Sequence, residues 1–287
     1  MKPLYTQHTI IPEQYINDCF DSFLNEDQAH HDLSTQFSIN TQTSVYAHFI
    51  AEEPLIFAGE KILRTIFKKF DIQFMVADGQ TCMAGDVLGS IKAPADILLS
   101  YERALLNLIQ RLSGIAFLTS KYVKKLNSSE IKILDTRKTT PGIRLFEKYA
   151  VNIGGGHNHR LDLYQGVMLK DNHLSLIHDL EKVIFNIHTQ HPNKKIQIEI
   201  DYIEQLKQHL KPHFPIHAIL LDNMNREQTI ECVQYIKENW PLCFIESSGG
   251  INLKNIQDYI GTGIHAVSIG ALTHQAVSKN IKLEFEK

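Results

Sequence analysis

The chain has 287 residues, 43% of them hydrophobic and 21% charged, with 29 Lys+Arg against 32 Asp+Glu. That length holds one large domain or two unequal ones, and the slightly acidic balance lacks the broad basic face of a general nucleic-acid binder. Cys19, Cys82, Cys232 and Cys243 show no CxxC spacing, no apolar run reaches the roughly 18 residues that span a bilayer, and the N-terminus lacks a signal-peptide core, so a cytoplasmic protein with reduced thiols and no membrane or nucleic-acid partner is expected.

Residues 12–25 carry Tyr15, Ile16, Cys19, Phe20, Phe23 and Leu24 at helical spacing, with Pro12 suited to the first turn. The following His30–His31–Asp32 reads as a solvated loop, since adjacent side chains rarely converge on a metal. From Gln36 to Ile91 strand-like runs (SVYAHFIA, IQFMVA, DVLGSI) alternate with one helical piece, GEKILRTIFKKF, giving a separate α/β unit with turns at Asp78–Gly79 and Ala84–Gly85–Asp86. Ser100 is the expected N-cap of a long helix ending near Leu126, its apolar stripe running from Leu105 to Val123. Arg103 would then lie in the first turn, where the helix dipole disfavours a cation. A salt bridge with Glu102 or a partner elsewhere would each account for it.

Beyond residue 130 the organisation becomes repetitive. Six short β-rich runs end in polar or glycine residues: IKIL before Asp135–Thr136–Arg137–Lys138, GVML before Lys170, IQIEI with Glu199, HAILL before Asp222, CFIE before Ser247–Ser248–Gly249–Gly250, and AVSI before Gly270. Helices fit between them, including one over SLIHDLEKVIFNIH, a capping box at Asp201–Glu204, and N-caps at Asn225 and Asn252. Strand–helix alternation predicts a parallel α/β architecture, and in a barrel the C-terminal strand ends share one mouth where active sites collect.

That mouth gathers Arg137, Lys138, Lys170, Glu199, Asp222, Ser248 and Gly270. Between Asp135 and His173 the chain also carries Arg144, Lys148 and Arg160, a local concentration of cations suited to a small polyanion. Arginine binds carboxylates bidentately and lysine acts as a point charge for phosphate, so Arg137, Arg160 and Arg103 suit a polycarboxylate, with Lys138 and Lys170 nearer phosphate. The SSGG and SIGA ends suit a phosphate held by backbone N–H groups. Glu199 and Asp222 leave several roles open: pairing with lysines, binding ribose hydroxyls, holding Mg²⁺, or stabilising a developing carbocation. His159 orients a carboxylate or Arg160, or is a packed, hydrogen-bonded histidine.

The segments DGQTCMAGDVLGSI, ERALLNLIQRLSGIA, LDTRKTTPGIRLFEKYAV, GGGHNHR, LKDNH, IEID, LLDN, ESSGGI and SIGALTH occur in order between about residues 75 and 275. Together they resemble the quinolinate phosphoribosyltransferase family. The resemblance implies an N-terminal α/β sandwich domain (1–105, joined by 275–287) and an open, incomplete α/β barrel (106–274). It implies a homodimer, with Arg103 reaching the partner's site. Arg137, His159 and Arg160 would contact the quinolinate carboxylates, and Lys138 and Lys170 would lie between quinolinate and phosphoribosyl pyrophosphate. Glu199 and Asp222 would face the ribose and its Mg²⁺–pyrophosphate. Ser248, Gly249, Gly250, Ile269, Gly270 and Ala271 would hold the 5′-phosphate, and Thr136 belongs to the Arg137 loop. The implied reaction gives nicotinate mononucleotide, pyrophosphate and CO₂. A relative acting on another base, such as the homologue associated with molybdenum transport, and a non-catalytic binder of a phosphorylated metabolite are the alternatives.

Overall fold

The computed structural model describes residues 3–40 and 43–286; residues 1–2 and 41–42 of the expected N-terminal domain and residue 287 of its C-terminal extension lie outside the described residues. The chain forms two compact units. One, built on an antiparallel sheet, comprises residues 8–120, 139–155 and the chain from Leu272 onward. The other, built on a parallel sheet, comprises residues up to Gln7, 121–138 and 156–271. The expected 105/106 boundary falls inside a continuous helix, Ala95–Leu126.

The antiparallel unit opens with α1 (Glu13–Glu26), whose Ile16, Phe20 and Leu24 are buried at helical spacing, and the short α2 (Leu33–Ser38). His30 and His31 are exposed, and Asp32 caps α2 by accepting the Thr35 N–H. Strand β1 (Ser44–Ala51) alternates burial, turning Ala47, Phe49 and Ala51 inward. Then follow β2 (Leu55–Ile56), α3 (Glu60–Ile66), β3 (Asp71–Phe74), β4 (Thr81–Cys82) and β5 (Val87–Pro94). Strand β5 runs straight into α4 (Ala95–Leu126), so the helix begins five residues before Ser100. This corrects the expected cap: Ser100 Oγ donates to the Asp96 carbonyl at 2.7 Å inside the helix, and Arg103 lies beyond its first turn. Proline at 94 supplies the physical stop, ending the strand where a ladder N–H would otherwise be needed.

The parallel unit begins with β6 (Lys132–Leu134); the chain then contributes α5 (Arg144–Ile153) to the antiparallel unit before returning as β7 (Gly166–Leu169). Helix α6 (Asp171–Leu176) and α7 (Leu180–Gln190) replace the single helix expected over SLIHDLEKVIFNIH. Asp179 causes the break, because its side chain caps the Lys182 N–H and starts a new helix. Next come β8 (Lys195–Ile200), α8 (Ile203–His209), β9 (Ala218–Asp222), α9 (Arg226–Asn239), β10 (Phe244–Ser248), β11 (Ala266–Ser268), α10 (Ala271–His274) and β12 (Ile281–Phe285). Asn225 closes the expected N-terminus of α9 with a full capping box. The Asp201–Glu204 box does not form: Tyr202 takes the N-cap position without a side-chain bond, and Gln205 accepts the Asp201 N–H instead. Asn252 caps a turn at Lys254 rather than an α-helix.

The antiparallel sheet runs β12–β1–β5–β3, so the chain's C-terminal strand closes its edge beside β1. Its buried face packs Phe49, Leu88 and Ile91 against Phe20, Leu63, Leu105 and Ile109 from the helices. The close fit of α4 is visible at Gly114, where an added Cβ would stand 2.1 Å from the Val277 carbonyl oxygen. The parallel sheet runs β6–β11–β10–β9–β8–β7. Its two edges, β6 and β7, are not paired with each other, which makes the barrel open as expected. Tyr5 lies against that gap, touching Gly166 at the start of β7, stacking on His159 at 4.7 Å and donating to Gln197 Oε1 at 2.8 Å.

Candidate active site

All six strands of this sheet run parallel, so their C-terminal ends share one edge, and the expected site residues of the parallel unit fall there. Strand β6 delivers Asp135, whose fully buried carboxylate accepts from Asn158 Nδ2 at 2.6 Å and from the His159 N–H at 2.9 Å. His157 extends the sheet by a parallel bridge to Leu134. These bonds sew the Thr136–Lys138 loop to the segment carrying His159 and Arg160. Thr136 and Arg137 are half-buried, Lys138 is exposed, and Thr136 Oγ1 accepts the Lys138 N–H at 3.0 Å. His159 and Arg160 are both 5% exposed, and Arg160 Nη1 donates to the Gly166 carbonyl at 2.9 Å. Burial pulls the Arg160 pKa down, Tyr5 opposes this, and the like charge of Arg137 adds to the lowering. The guanidinium stays charged all the same. Two arginines sharing a half-buried space favour a dianionic guest.

Lys170 follows β7 and donates to Glu199 Oε2 at 2.6 Å. Burial pushes the Glu199 pKa up, the Lys170 bond and charge pull it down, and Asp222 and Asp171 push it up again. Asp222 ends β9. Burial and then Asp201 raise its pKa, against Lys170, a Ser248 hydrogen bond and Lys138. Glu199 therefore senses Asp222 and Lys170, and Asp222 senses both lysines. The two carboxylates form an acidic spot between cationic flanks, suited to a group that gains positive charge while its neighbours stay negative. Among the described residues no group of three or more His, Cys, Asp or Glu is gathered as a metal site. Glu199 and Asp222 supply the oxygen donors that Mg²⁺ takes, and that ion needs only one or two carboxylates when substrate phosphates complete its shell.

Strand β10 ends at Ser248, and β11, its neighbour, leads into Ile269, Gly270 and Ala271. Gly249 has φ +87°, and a Cβ there would meet Asn223 Oδ1 at 2.1 Å, so only glycine fits. Gly250 also has positive φ, but open space surrounds its would-be Cβ. Asn252 and Asn255 both donate to the Gly250 carbonyl, at 3.0 and 3.1 Å, and hold the turn. The N–H groups of Gly249 and Gly250 find no acceptor among the described residues. That is a built place for an anion. Ile269 is buried and its N–H is held by the Leu134 carbonyl at 2.9 Å.

Arg103 stands apart, on α4 in the antiparallel unit. It is exposed and lines a cavity of roughly 570 Å³ with Asn107, Arg111 and Thr140. Among the described residues it makes no hydrogen bond or ion pair. Arg144 and Lys148, part of the cationic concentration in the sequence, also belong to the antiparallel unit, on α5. There Arg144 Nε donates to Thr139 Oγ1 at 2.9 Å and Lys148 is fully buried.

Sequence reasoning missed the layer beneath the site. Tyr5, Gln7, Asn158, Gln197 and Glu246 form hydrogen bonds that hold the loop of His159 and Arg160. Polar residues inside apolar β runs, Gln197 in IQIEI and Glu246 in CFIE, were the available signal.

Residues 32–113 match the family described as Quinolinate phosphoribosyl transferase, N-terminal domain, and residues 115–284 match its C-terminal domain. Among curated relatives, the probable nicotinate-nucleotide pyrophosphorylase [carboxylating] of Bacillus subtilis is 38% identical, covering 91% of this chain and 90% of its own. The Mycobacterium leprae nicotinate-nucleotide pyrophosphorylase [carboxylating] is 35% identical over 88% of this chain and 90% of its own. The solved nicotinate-nucleotide pyrophosphorylase of Francisella tularensis superposes with a TM-score of 0.87 at 28% identity, covering 98% of this chain and 100% of that one.

Proposed function

Since the chain belongs to the quinolinate phosphoribosyltransferase family, we propose that it transfers the phosphoribosyl group of phosphoribosyl pyrophosphate to quinolinate, with decarboxylation. The products are nicotinate mononucleotide, pyrophosphate and CO₂, a step of NAD biosynthesis. The observation that carries this reading is the row of strand ends: cations after β6 and β7, carboxylates on β8 and β9, and an open glycine turn after β10.

The assignment of roles follows the charges. Arg137, His159 and Arg160 form the pocket for the two carboxylates of quinolinate, with Thr136 shaping the same loop. Lys138 and Lys170 lie between the two substrates. Ser248, Gly249, Gly250, Ile269, Gly270 and Ala271 hold the 5′-phosphate. As the C1–pyrophosphate bond breaks, the ribose carbon gains positive charge, and Glu199 and Asp222 stabilise it. The pyridine nitrogen donates its lone pair to that carbon, and the pyrophosphate leaves with the bonding pair. The resulting pyridinium accepts the electron pair left at ring C2 when CO₂ departs, and a proton then fills that position. Positioning by the arginines supplies much of the rest, and no side chain acts as nucleophile. Mg²⁺ would be held at Glu199 and Asp222 together with the pyrophosphate, whose charge it neutralises.

The finer parts of the proposal concern assembly and place. The active form is a homodimer in which Arg103 completes the carboxylate pocket of the partner's site. Residues 1–105 with 275–287 act as the covering domain and 106–274 as the catalytic barrel. The exposure of Arg103 and its want of an ion pair support this use. The enzyme works in the cytoplasm, where its four free cysteines stay reduced. The test is CO₂ release from carboxyl-labelled quinolinate by purified protein, with and without phosphoribosyl pyrophosphate. Release is expected only with both substrates, and equal turnover of nicotinate would refute the specificity.

A further inference from the structure

Beneath the carboxylate pocket lies a carboxylate of the protein's own. Glu246, on β10, is fully buried. Its Oε2 accepts from Gln197 Nε2 at 2.9 Å and stands 3.5 Å from His159 Nε2. A buried anion in a site that recruits anionic substrate needs a reason, because alone it would weaken the site's attraction.

The His159 ring supplies one. The Arg160 backbone N–H can only donate, and it points at His159 Nδ1 from 2.8 Å. Nδ1 is therefore the acceptor, and the ring proton sits on Nε2, facing Glu246. Both ring nitrogens are turned to the protein. Tyr5 stacks on the ring at 4.7 Å, and its hydroxyl donates to the same Gln197 that binds Glu246. The groups facing Glu246 are His159 from the segment between α5 and β7, Gln197 from β8 and Ser268 from β11, with the Tyr5 hydroxyl behind Gln197.

We propose that Glu246 is a positioning residue for quinolinate binding: it locks His159 in the Nε2–H tautomer, and Nδ1 in turn fixes the backbone from which the Arg160 guanidinium springs. His159 then acts through Arg160 rather than by lending a positive charge. This rests on the reading of the site as a quinolinate pocket and adds how its arginine is held.

The experiment has two arms, each run beside wild-type enzyme whose CO₂ release requires both substrates; a wild type inactive on quinolinate would overturn the functional reading itself. In the first arm, nitrogen-15 spectra of the imidazoles in wild-type protein are expected to show His159 protonated at Nε2 alone, with and without quinolinate. A proton on Nδ1, or a ring that becomes cationic when quinolinate binds, overturns the proposal. In the second arm, Glu246→Leu removes the acceptor and Glu246→Gln keeps it without the charge. The Leu variant is expected to raise the quinolinate KM about tenfold or more, the size of a lost charge-assisted hydrogen bond. Its KM for phosphoribosyl pyrophosphate should stay at the wild-type value. The Gln variant should recover most of the loss. A folded Leu variant with unchanged quinolinate KM, or one that loses both substrates equally, overturns the proposal. Should the Leu variant not fold, the wild-type spectrum decides.

Discussion

In its proposed role beside the ribose, Asp222 would serve chemistry at the expense of the fold. Burial and the nearby Asp201 raise its pKa, and Lys170, Ser248 and Lys138 only partly restore it. For a carboxyl raised on folding, the contribution to stability is fully present below its unfolded pKa and is lost as pH rises through the folded value. At neutral pH the ionised group is therefore a net strain on the native state. Asp222→Asn is expected to raise the melting temperature at pH 7, with the gain vanishing below the ordinary aspartate range, while kcat falls about 10²–10³-fold. Thermal melts across pH together with turnover check this; a variant destabilised at pH 7 would contradict it. Arg137→Ala belongs to the opposite class. It removes a half-buried cation from the proposed quinolinate pocket, so it should raise the quinolinate KM by about tenfold or more and leave the KM for phosphoribosyl pyrophosphate near its original value. Steady-state kinetics in each substrate separate the two effects.

At the scale of elements, parallel strands were the most legible part of the chain. β8, β9 and β10 are buried almost throughout and read as apolar runs, and the residues at their ends fell on one edge as expected. Helix α5 was invisible for the opposite reason. Its charges Glu147 and Lys148 mark a surface on paper, yet both are fully buried. Glu147 Oε1 accepts from Arg111 Nε and Nη2 at 3.1 and 2.9 Å, and Thr140 donates to the same carboxylate through Oγ1 and its N–H. Arg111 also donates to the carbonyls of Thr273 and Ala276, so one ion pair ties α4, α5 and the C-terminal segment within the antiparallel unit. Such partners lie far apart in sequence, and no local pattern announces them. Nor could periodicity place the start of α4, which a proline and a strand end decide. Glu147→Ala leaves Arg111 half-buried without its carboxylate and is expected to destabilise the protein by about 3–5 kcal/mol. Denaturant unfolding measures it, and a change under 1 kcal/mol would show the pair to be dispensable.

For the whole molecule, the question is why a chain would place Arg103 on its antiparallel unit, exposed and unpaired among the described residues, when the other cations proposed to bind carboxylates stand on the parallel unit. The helix dipole does not explain it, since α4 starts at Ala95 and Arg103 lies beyond the first turn. Arg103 stays exposed beside a cavity that also holds Glu26, Asp27 and Arg111, so a ligand for its charge can come from outside its own subunit. In the proposed homodimer two-fold symmetry offers one: each subunit would lend its Arg103 to the site of the other. The idea makes a prediction that no single-chain site shares. Arg103→Ala and Lys170→Ala should each inactivate the enzyme alone. When the two variants are unfolded together and refolded, half the dimers are mixed. In a mixed dimer one site carries both lesions and the other carries neither, since Arg103 comes from one subunit and Lys170 from the other. Activity should therefore return to about a quarter of the wild-type value. If both residues served the site of their own chain, every site in the mixture would carry one lesion and activity would stay at that of the variants.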